Sequence, residues 1–202
     1  MRIEIFGFAL AAVFGMGCHM TPSVPERYAE ARHEAVKVNF EDALLNQRKV
    51  LLIGALDDAA AEVAIQKLLY LDGRSPQPID LYLQTPGGQF KAAMAIRQVM
   101  RSLRCKVNTY ALSECNSGGA VLLAAGTGKR RAFRGGLIVV HAIKVIGKPP
   151  AEFTEEIQKA HNDFWRAHAK LPEVWLPLKD GKEYVLTAEE ALEYGVVDEV
   201  ME

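Results

Sequence analysis

The apolar positions change their period along the chain. Lys49–Ile53 (KVLLI) is a short apolar run of the kind a buried strand needs. Ile79–Leu83 (IDLYL) alternates with the period of two that sends successive side chains to opposite faces. Between them, Asp57 and Asp58 offer N-cap oxygens for a helix running to about Leu71, with Val63, Leu68, Leu69 and Leu71 expected on one broad side. Asp72–Pro78 is turn material, and Pro86-Gly87-Gly88 breaks the next strand. The pattern then predicts a helix over Phe90–Leu103, a strand over Val107–Leu112, a helix over Gly118–Ala125, and short strands at Arg130–Phe133 and Leu137–Val140. A long helix is expected over Ala151–Lys170, with Phe153, Ile157, Ala160, Phe164 and His168 on its apolar stripe. Thr187 caps a last helix to Tyr194, which Gly195 closes before Val196-Val197 ends the pattern.

Strand–helix alternation of this sort predicts an α/β fold with a mostly parallel sheet and helices on its faces. Active sites in such sheets gather at the carboxyl ends of the strands. Two glycine-rich turns fall there, Thr85–Gln89 and Glu114–Gly119.

Composition narrows the function classes. The 202 residues are half apolar and carry a formal net charge of −1, with both signs mixed along the chain. A near-neutral chain gives no electrostatic reason to expect nucleic acid as the main partner. Three cysteines (Cys18, Cys105, Cys115) are too few for a disulfide scaffold and form no CxxC pair. Cys105 and Cys115 flank an expected strand, whose extended backbone holds them too far apart to bridge, so both should be reduced and structural. The histidines outside the expected site come with no carboxylate or cysteine pattern, so neither a metal nor any other cofactor is assigned.

The N-terminus reads separately. Ile5–Gly17 is an uncharged apolar run, too short to span a bilayer as a helix, preceded by Arg2 and followed by Cys18. Residues 1–18 are expected to be a secretory or lipoprotein signal, with Cys18 as the lipidation point; the alternative is a hydrophobic helix packed on the domain. Residues 19–38 read as a linker with a short charged helix, and 39–202 as the folded domain. Export would place the protein in the periplasm or at an outer membrane face, held to the membrane only by that N-terminal anchor. A cytoplasmic location is the alternative.

Ser117 stands between a strand and a helix in ECNSGGAV, with Gly118 and Gly119 directly after it. A serine at a helix start is presented at a sharp bend, beside backbone N–H groups that lack helical partners and can hold an oxyanion. By itself such a serine is equally a helix cap. Gly87 and Gly88 let backbone approach a ligand closely, or simply turn the chain. His141 ends the apolar run LIVV, where it could take a proton from a serine on the neighbouring strand or rest as a core histidine.

Together these segments resemble ClpP, the proteolytic subunit of the Clp protease, and its wider ClpP/crotonase superfamily. TPGGQFKAAMAIRQVM is similar to the family's SPGG stretch and following helix, and NSGGAVLLAAGTGKRRAF to its nucleophile segment. LIVVHAI resembles the strand ending in the catalytic histidine, LTAEEALEYGVVDEV the closing helix and strand, and KVLLIGALDD the first strand. The resemblance covers roughly Asn39–Val200 and implies the ClpP/crotonase-like fold, with repeated β-β-α units and a handle helix.

It also implies a serine endopeptidase acting through an acyl-enzyme. Ser117 would be the nucleophile and His141 the general base, with the N–H groups of Gly88 and Gly118 as the oxyanion hole. The substrate would be a small or unfolded polypeptide, lying extended beside Gly87-Gly88 and the chain after His141, including Ala142. The third triad member is expected at Asp180, through a one-residue slip in PLKDGKE. Glu183, a backbone carbonyl, or a simple dyad are the alternatives. A homo-oligomer is implied. The segment from His141 to Asp180 is shorter than the family's handle, which leaves a double ring open, and His19–Val38 does not resemble the loops that meet an ATPase unfoldase. Two other functions compete: a catalytically impaired relative used as a binding or assembly module, and a crotonase-type acyl-CoA enzyme.

Overall fold

The computed structural model describes residues 39–145, 147, 150–178 and 181–202. The expected leader with Cys18 and the expected linker therefore lie outside the described residues, as do Lys179 and Asp180.

Helix α1 (Phe40–Asn46) starts at Asn39, whose side-chain oxygen accepts from the amides of Glu41 and Asp42. Strand β1 (Lys49–Ile53) leads through Asp57, which caps Ala60 N, into α2 (Asp58–Arg74). Strand β2 (Ile79–Thr85), helix α3 (Phe90–Ser102), strand β3 (Val107–Asn116) and helix α4 (Gly118–Ala124) continue the alternation. Then come β4 (Arg130–Phe133), β5 (Leu137–His141), α5 (Ala151–His168), β6 (Glu183–Thr187), α6 (Ala188–Glu193) and β7 (Glu199–Met201). This is the expected α/β architecture: the sheet runs β1-β2-β3-β4-β7 with parallel neighbours throughout, while β5 pairs parallel with β3 and antiparallel with β6.

The length of β3 organises the site. Its first half, Thr109–Ala111, pairs with β4, and its last residues, Glu114–Asn116, pair with β5. The sheet thus forks along one strand, and the second branch carries β5 past the end of β3. A register shift between Leu83 and Thr85 lets β2 keep pace, so that Thr85 lies opposite Cys115. Three strand ends meet there.

Helix α4 has no polar side chain (GGAVLLA) and is buried on every side, so its N-terminus is held firmly in the core. Elsewhere burial departs from the expected stripes. In α2 the buried positions are Ala61, Ala64, Leu68 and Leu71, a three-and-four spacing, while Val63 and Leu69 face out. In α5 Phe153 is exposed and the buried face is His161, Asn162, Phe164 and Trp165. Part of their polarity is satisfied inside: Trp165 Nε1 donates to His161 Nε2 at 3.0 Å, and Leu178 N donates to Asn162 Oδ1 at 3.0 Å, while His161 Nδ1 is buried without a partner among the described residues. Cys105 and Cys115 are buried free thiols, and burial pushes the Cys115 thiol far above its ordinary range. Thr187 forms the capping box with Glu190 that opens α6. Strand β6 was not expected, and it brings a carboxylate to the site.

Candidate active site

Ser117 follows the last residue of β3 and precedes the first of α4, at φ 56° and ψ −118°. For a residue with a side chain this is a sparsely populated conformation, costing about 1–3 kcal/mol unless the surroundings impose it. They do. Ser117 N donates to Val139 O of β5 at 2.8 Å, and Val121 N donates to Ser117 O at 3.1 Å, so strand and helix bond the same residue from both sides. The side chain makes no cap hydrogen bond to its own helix. A capping serine sits in extended backbone with its hydroxyl turned onto the N2 or N3 amide; Ser117 does neither. Strand, strained serine, helix is the geometry that exposes a nucleophile at a tight elbow.

The glycine pair packs against this elbow. A Cβ on Gly87 would lie 2.6 Å from Ser117 Cβ and 2.6 Å from Asn116 O, so only glycine lets the two turns touch. Gly87 N donates to Thr85 Oγ1 at 3.0 Å, and Gly87 O accepts from Leu56 N at 2.9 Å. Both backbone groups of Gly87 are thus consumed internally. In this structure Gly87 supports the serine turn. Gly88, at φ +152°, behaves differently. Its bridge to Leu56 uses Gly87 O and the amide of Gln89, which donates to Leu56 O at 2.7 Å. Successive residues of extended backbone face opposite ways, so the N–H of Gly88 points away from Leu56, onto the open side. The N–H of Gly118, first of α4, likewise lies outside the intrahelical ladder.

His141 ends β5. Asn116 is level with Val139 in the parallel register, so Ser117 is level with Val140 and His141 is one step further on. Neighbouring strands are about 4.8 Å apart and advance about 3.3 Å per residue, which puts the imidazole within side-chain reach of the serine turn. His141 Nδ1 lies 2.5 Å from the carbonyl oxygen of Ala142. A carbonyl only accepts, so Nδ1 is the donor in this contact, and in the neutral ring Nε2 is then the nitrogen whose lone pair can serve a general base. Ala142 is buried, and its carbonyl is therefore taken by the histidine.

Across the antiparallel pair, His141 is opposite Glu183, the first residue of β6. The Glu183 carboxylate lies 2.8 Å from Lys144 Nζ. Its hydrogen bond to Lys144 and the charge of that ammonium hold it below the usual carboxylate range, and His141 adds to the effect. Sequence reasoning passed over Glu183 in favour of Asp180, which lies outside the described residues. The alternation EYVLT, read as a strand antiparallel to LIVVH, would have paired Glu183 with His141. Thr85 was also missed: it is fully buried and orients Gly87, a role that a threonine two residues before a glycine turn can signal.

Gly88, Ser117, Gly118, His141, Ala142 and Glu183 all line one cleft of about 950 Å³. Behind it, His161 is buried and its imidazole is held near pKa 4, first by burial and then by the neighbouring His141. The fold therefore gathers a strained serine, a histidine in the base tautomer and two amides without a backbone partner among the described residues at one cleft.

The family model for Clp protease matches residues 32–202. The chain belongs to the Clp protease family. It is 35% identical over 197 residues to the ATP-dependent Clp protease proteolytic subunit 1 of Corynebacterium glutamicum, covering 91% of this chain and 92% of that protein. It is 32% identical over 189 residues to proteolytic subunit 2 of Corynebacterium jeikeium, covering 89% and 90%, and 35% identical over 178 residues to proteolytic subunit 2 of Mycobacterium leprae, covering 81% and 82%. At the level of the family, this Clp-type chain is a serine peptidase, a hydrolase with the ClpP fold.

Proposed function

We propose that this chain cleaves peptide bonds of small or unfolded polypeptides through an acyl-enzyme on Ser117. The observation that carries the reading is Ser117 itself: a non-glycine residue at positive φ, its hydroxyl free of capping, beside the amides of Gly88 and Gly118, which have no backbone partner among the described residues. His141 Nε2 accepts the proton of Ser117 Oγ as the oxygen bonds to the substrate carbonyl carbon. The oxyanion then accepts hydrogen bonds from Gly88 N–H and Gly118 N–H. The C–N bond breaks as the imidazolium returns the proton to the departing amine. Water, deprotonated by the same Nε2, releases the acyl group and restores the serine. Glu183 is the carboxylate that faces His141, and its role would be to hold Nδ1–H and stabilise the imidazolium. An extended substrate would lie along the open side of Gly88 and the chain after His141, pairing through its backbone.

The relatives above are named as subunits of ATP-dependent proteases, and a homo-oligomer is part of this proposal. So is export through residues 1–18, with peptide cleavage that needs no ATPase. A panel of internally quenched peptides, with products identified by mass, tests the function. Cleavage by the wild type and none by Ser117→Ala is expected; equal turnover by both would remove Ser117 from the chemistry.

A further inference from the structure

The carboxylate facing His141 is shared. Glu183 sits opposite His141 in the β5–β6 register, yet its oxygen is 2.8 Å from Lys144 Nζ, while the His141 Nδ1–H is given to the Ala142 carbonyl. Lys144 follows His141 by three residues, and all three side chains line the catalytic cleft. Among the described residues, Nδ1–H is given to a carbonyl, and the carboxylate opposite it, Glu183, is engaged by Lys144. We propose that Lys144 is a positioning residue that withholds Glu183 from His141, so that the resting site is latent and is completed when Lys144 is drawn elsewhere. This rests on Ser117 and His141 being the reacting pair.

The ion pair suits a catch that opens easily. Lys144 and Glu183 are 58% and 52% exposed, so solvent and salt screen their attraction. Contact with an ammonium lowers the energy of Glu183 as an isolated acceptor, and Nδ1–H must compete for the same oxygens. Among the described residues, the charged groups lining the cleft beyond this trio are Asp57 and Lys91. Asp57 is occupied as the cap of Ala60 and Lys91 is paired with Asp58 at 2.7 Å, so neither substitutes for Glu183 or Lys144. His161 adds no competing cation at neutral pH, since burial holds it near 4. When the carboxylate turns to Nδ1–H, the developing imidazolium gains an anion and proton abstraction from Ser117 becomes easier.

The test measures the second-order rate at which a fluorophosphonate labels Ser117, which requires no knowledge of the natural substrate. Lys144→Met should label about two- to five-fold faster than wild type at low salt, the range an exposed ion pair commands. Raising the salt should speed the wild type toward the variant and leave the variant unchanged. Lys144→Arg should keep the wild-type rate. In a Glu183→Gln background, adding Lys144→Met should give no acceleration. The imidazole Nδ1 proton of Lys144→Met should also move downfield in the NMR spectrum as its acceptor changes from carbonyl to carboxylate. Equal rates for wild type and Lys144→Met, or the same acceleration with Glu183→Gln present, would overturn the proposal. Failure of every variant, wild type included, to label at Ser117 would instead defeat the peptidase reading beneath it.

Discussion

Replacing Gly88 by alanine tests the oxyanion role proposed for its amide. A Cβ there would lie 2.2 Å from the Leu56 carbonyl oxygen and 2.9 Å from Leu56 C and N. All three are backbone atoms, so no rotamer change relieves the contact and the bridge between residue 56 and residues 87–89 has to open. Its two hydrogen bonds are worth about 1 kcal/mol each. Holding alanine at φ +152° adds about 1–3 kcal/mol. The expected loss is about 3–5 kcal/mol, against a total stability of about 5–15 kcal/mol for a typical domain, so the variant folds but is weakened. For a chain of this size that corresponds to a fall in Tm of roughly 6–20 °C. The displaced amide removes one oxyanion donor, which costs about 10²–10³ in kcat. Gly118→Ala is the companion variant: its Cβ would meet Leu56 Cδ2 at 3.0 Å, the end of a flexible side chain, and Ala93 Cβ at 3.3 Å, which needs a shift of only a few tenths of an ångström. It should keep its amide in place and lose far less on both counts. Thermal melts and Ser117 labelling, run in parallel on the two variants, check this. If Gly88→Ala melts and labels as the wild type does, or if the two variants suffer equally, Gly88 is not positioned as argued.

Three further outcomes follow from buried and paired groups. Asp72 accepts from the backbone amide of Cys105 and pairs with Arg104, and its pKa is lowered to about 2, chiefly by that amide. The folded chain binds this proton less readily than the unfolded one, so the stability Asp72 contributes is complete above about pH 4 and is lost as pH falls towards 2; Asp72→Asn should flatten that part of a denaturation midpoint-versus-pH curve. His161 is likewise depressed, to about 4, so folding resists its protonation and stability should decline as pH falls from about 6.5 towards 4. His161→Phe should abolish that decline in urea titrations while leaving the Trp165 indole N–H without its acceptor, at a cost of about 1–3 kcal/mol at pH 7. Asp198→Asn should also lower Tm, because the Asp198 carboxylate accepts from the backbone amide, Nε and Nη2 of Arg130 and so ties β4 to the chain entering β7.

Much of this architecture could be read from periodicity. Lys49–Ile53 and the start of α4 fall where expected because short apolar runs beside glycine leave few alternatives; Arg130–Phe133 also falls where expected, between two glycine-containing turns. Strand β3 runs four residues beyond its expected end: Ser113, Glu114 and Asn116 are polar, and pairing of Glu114–Asn116 with β5 and of Cys115 with Thr85 holds the segment extended. Strand β6 was invisible for a related reason: EYVLT is half exposed, and its one partner, β5, lies more than forty residues earlier. That non-local pairing is also what placed Glu183 opposite His141. Helix faces were misread where alanines were buried in place of larger residues, as at Ala61 and Ala64, and where His161 and Asn162 found partners inside. Ser117, His141, Gly88 and Gly118, which line one cleft, stood out in the sequence because each lies at a strand end or in a glycine turn. The strain at Ser117 was not, because backbone dihedrals emerge only once α4 is locked in the core.

The central claim is tested most directly by treating the wild type, Ser117→Ala and His141→Ala with a fluorophosphonate and mapping the adduct by mass spectrometry. A single phosphonylated site at Ser117 in the wild type is predicted, with none in Ser117→Ala and a rate lower by about 10²–10⁴ in His141→Ala. An adduct on another residue, or undiminished labelling of Ser117 without the histidine, would contradict the account.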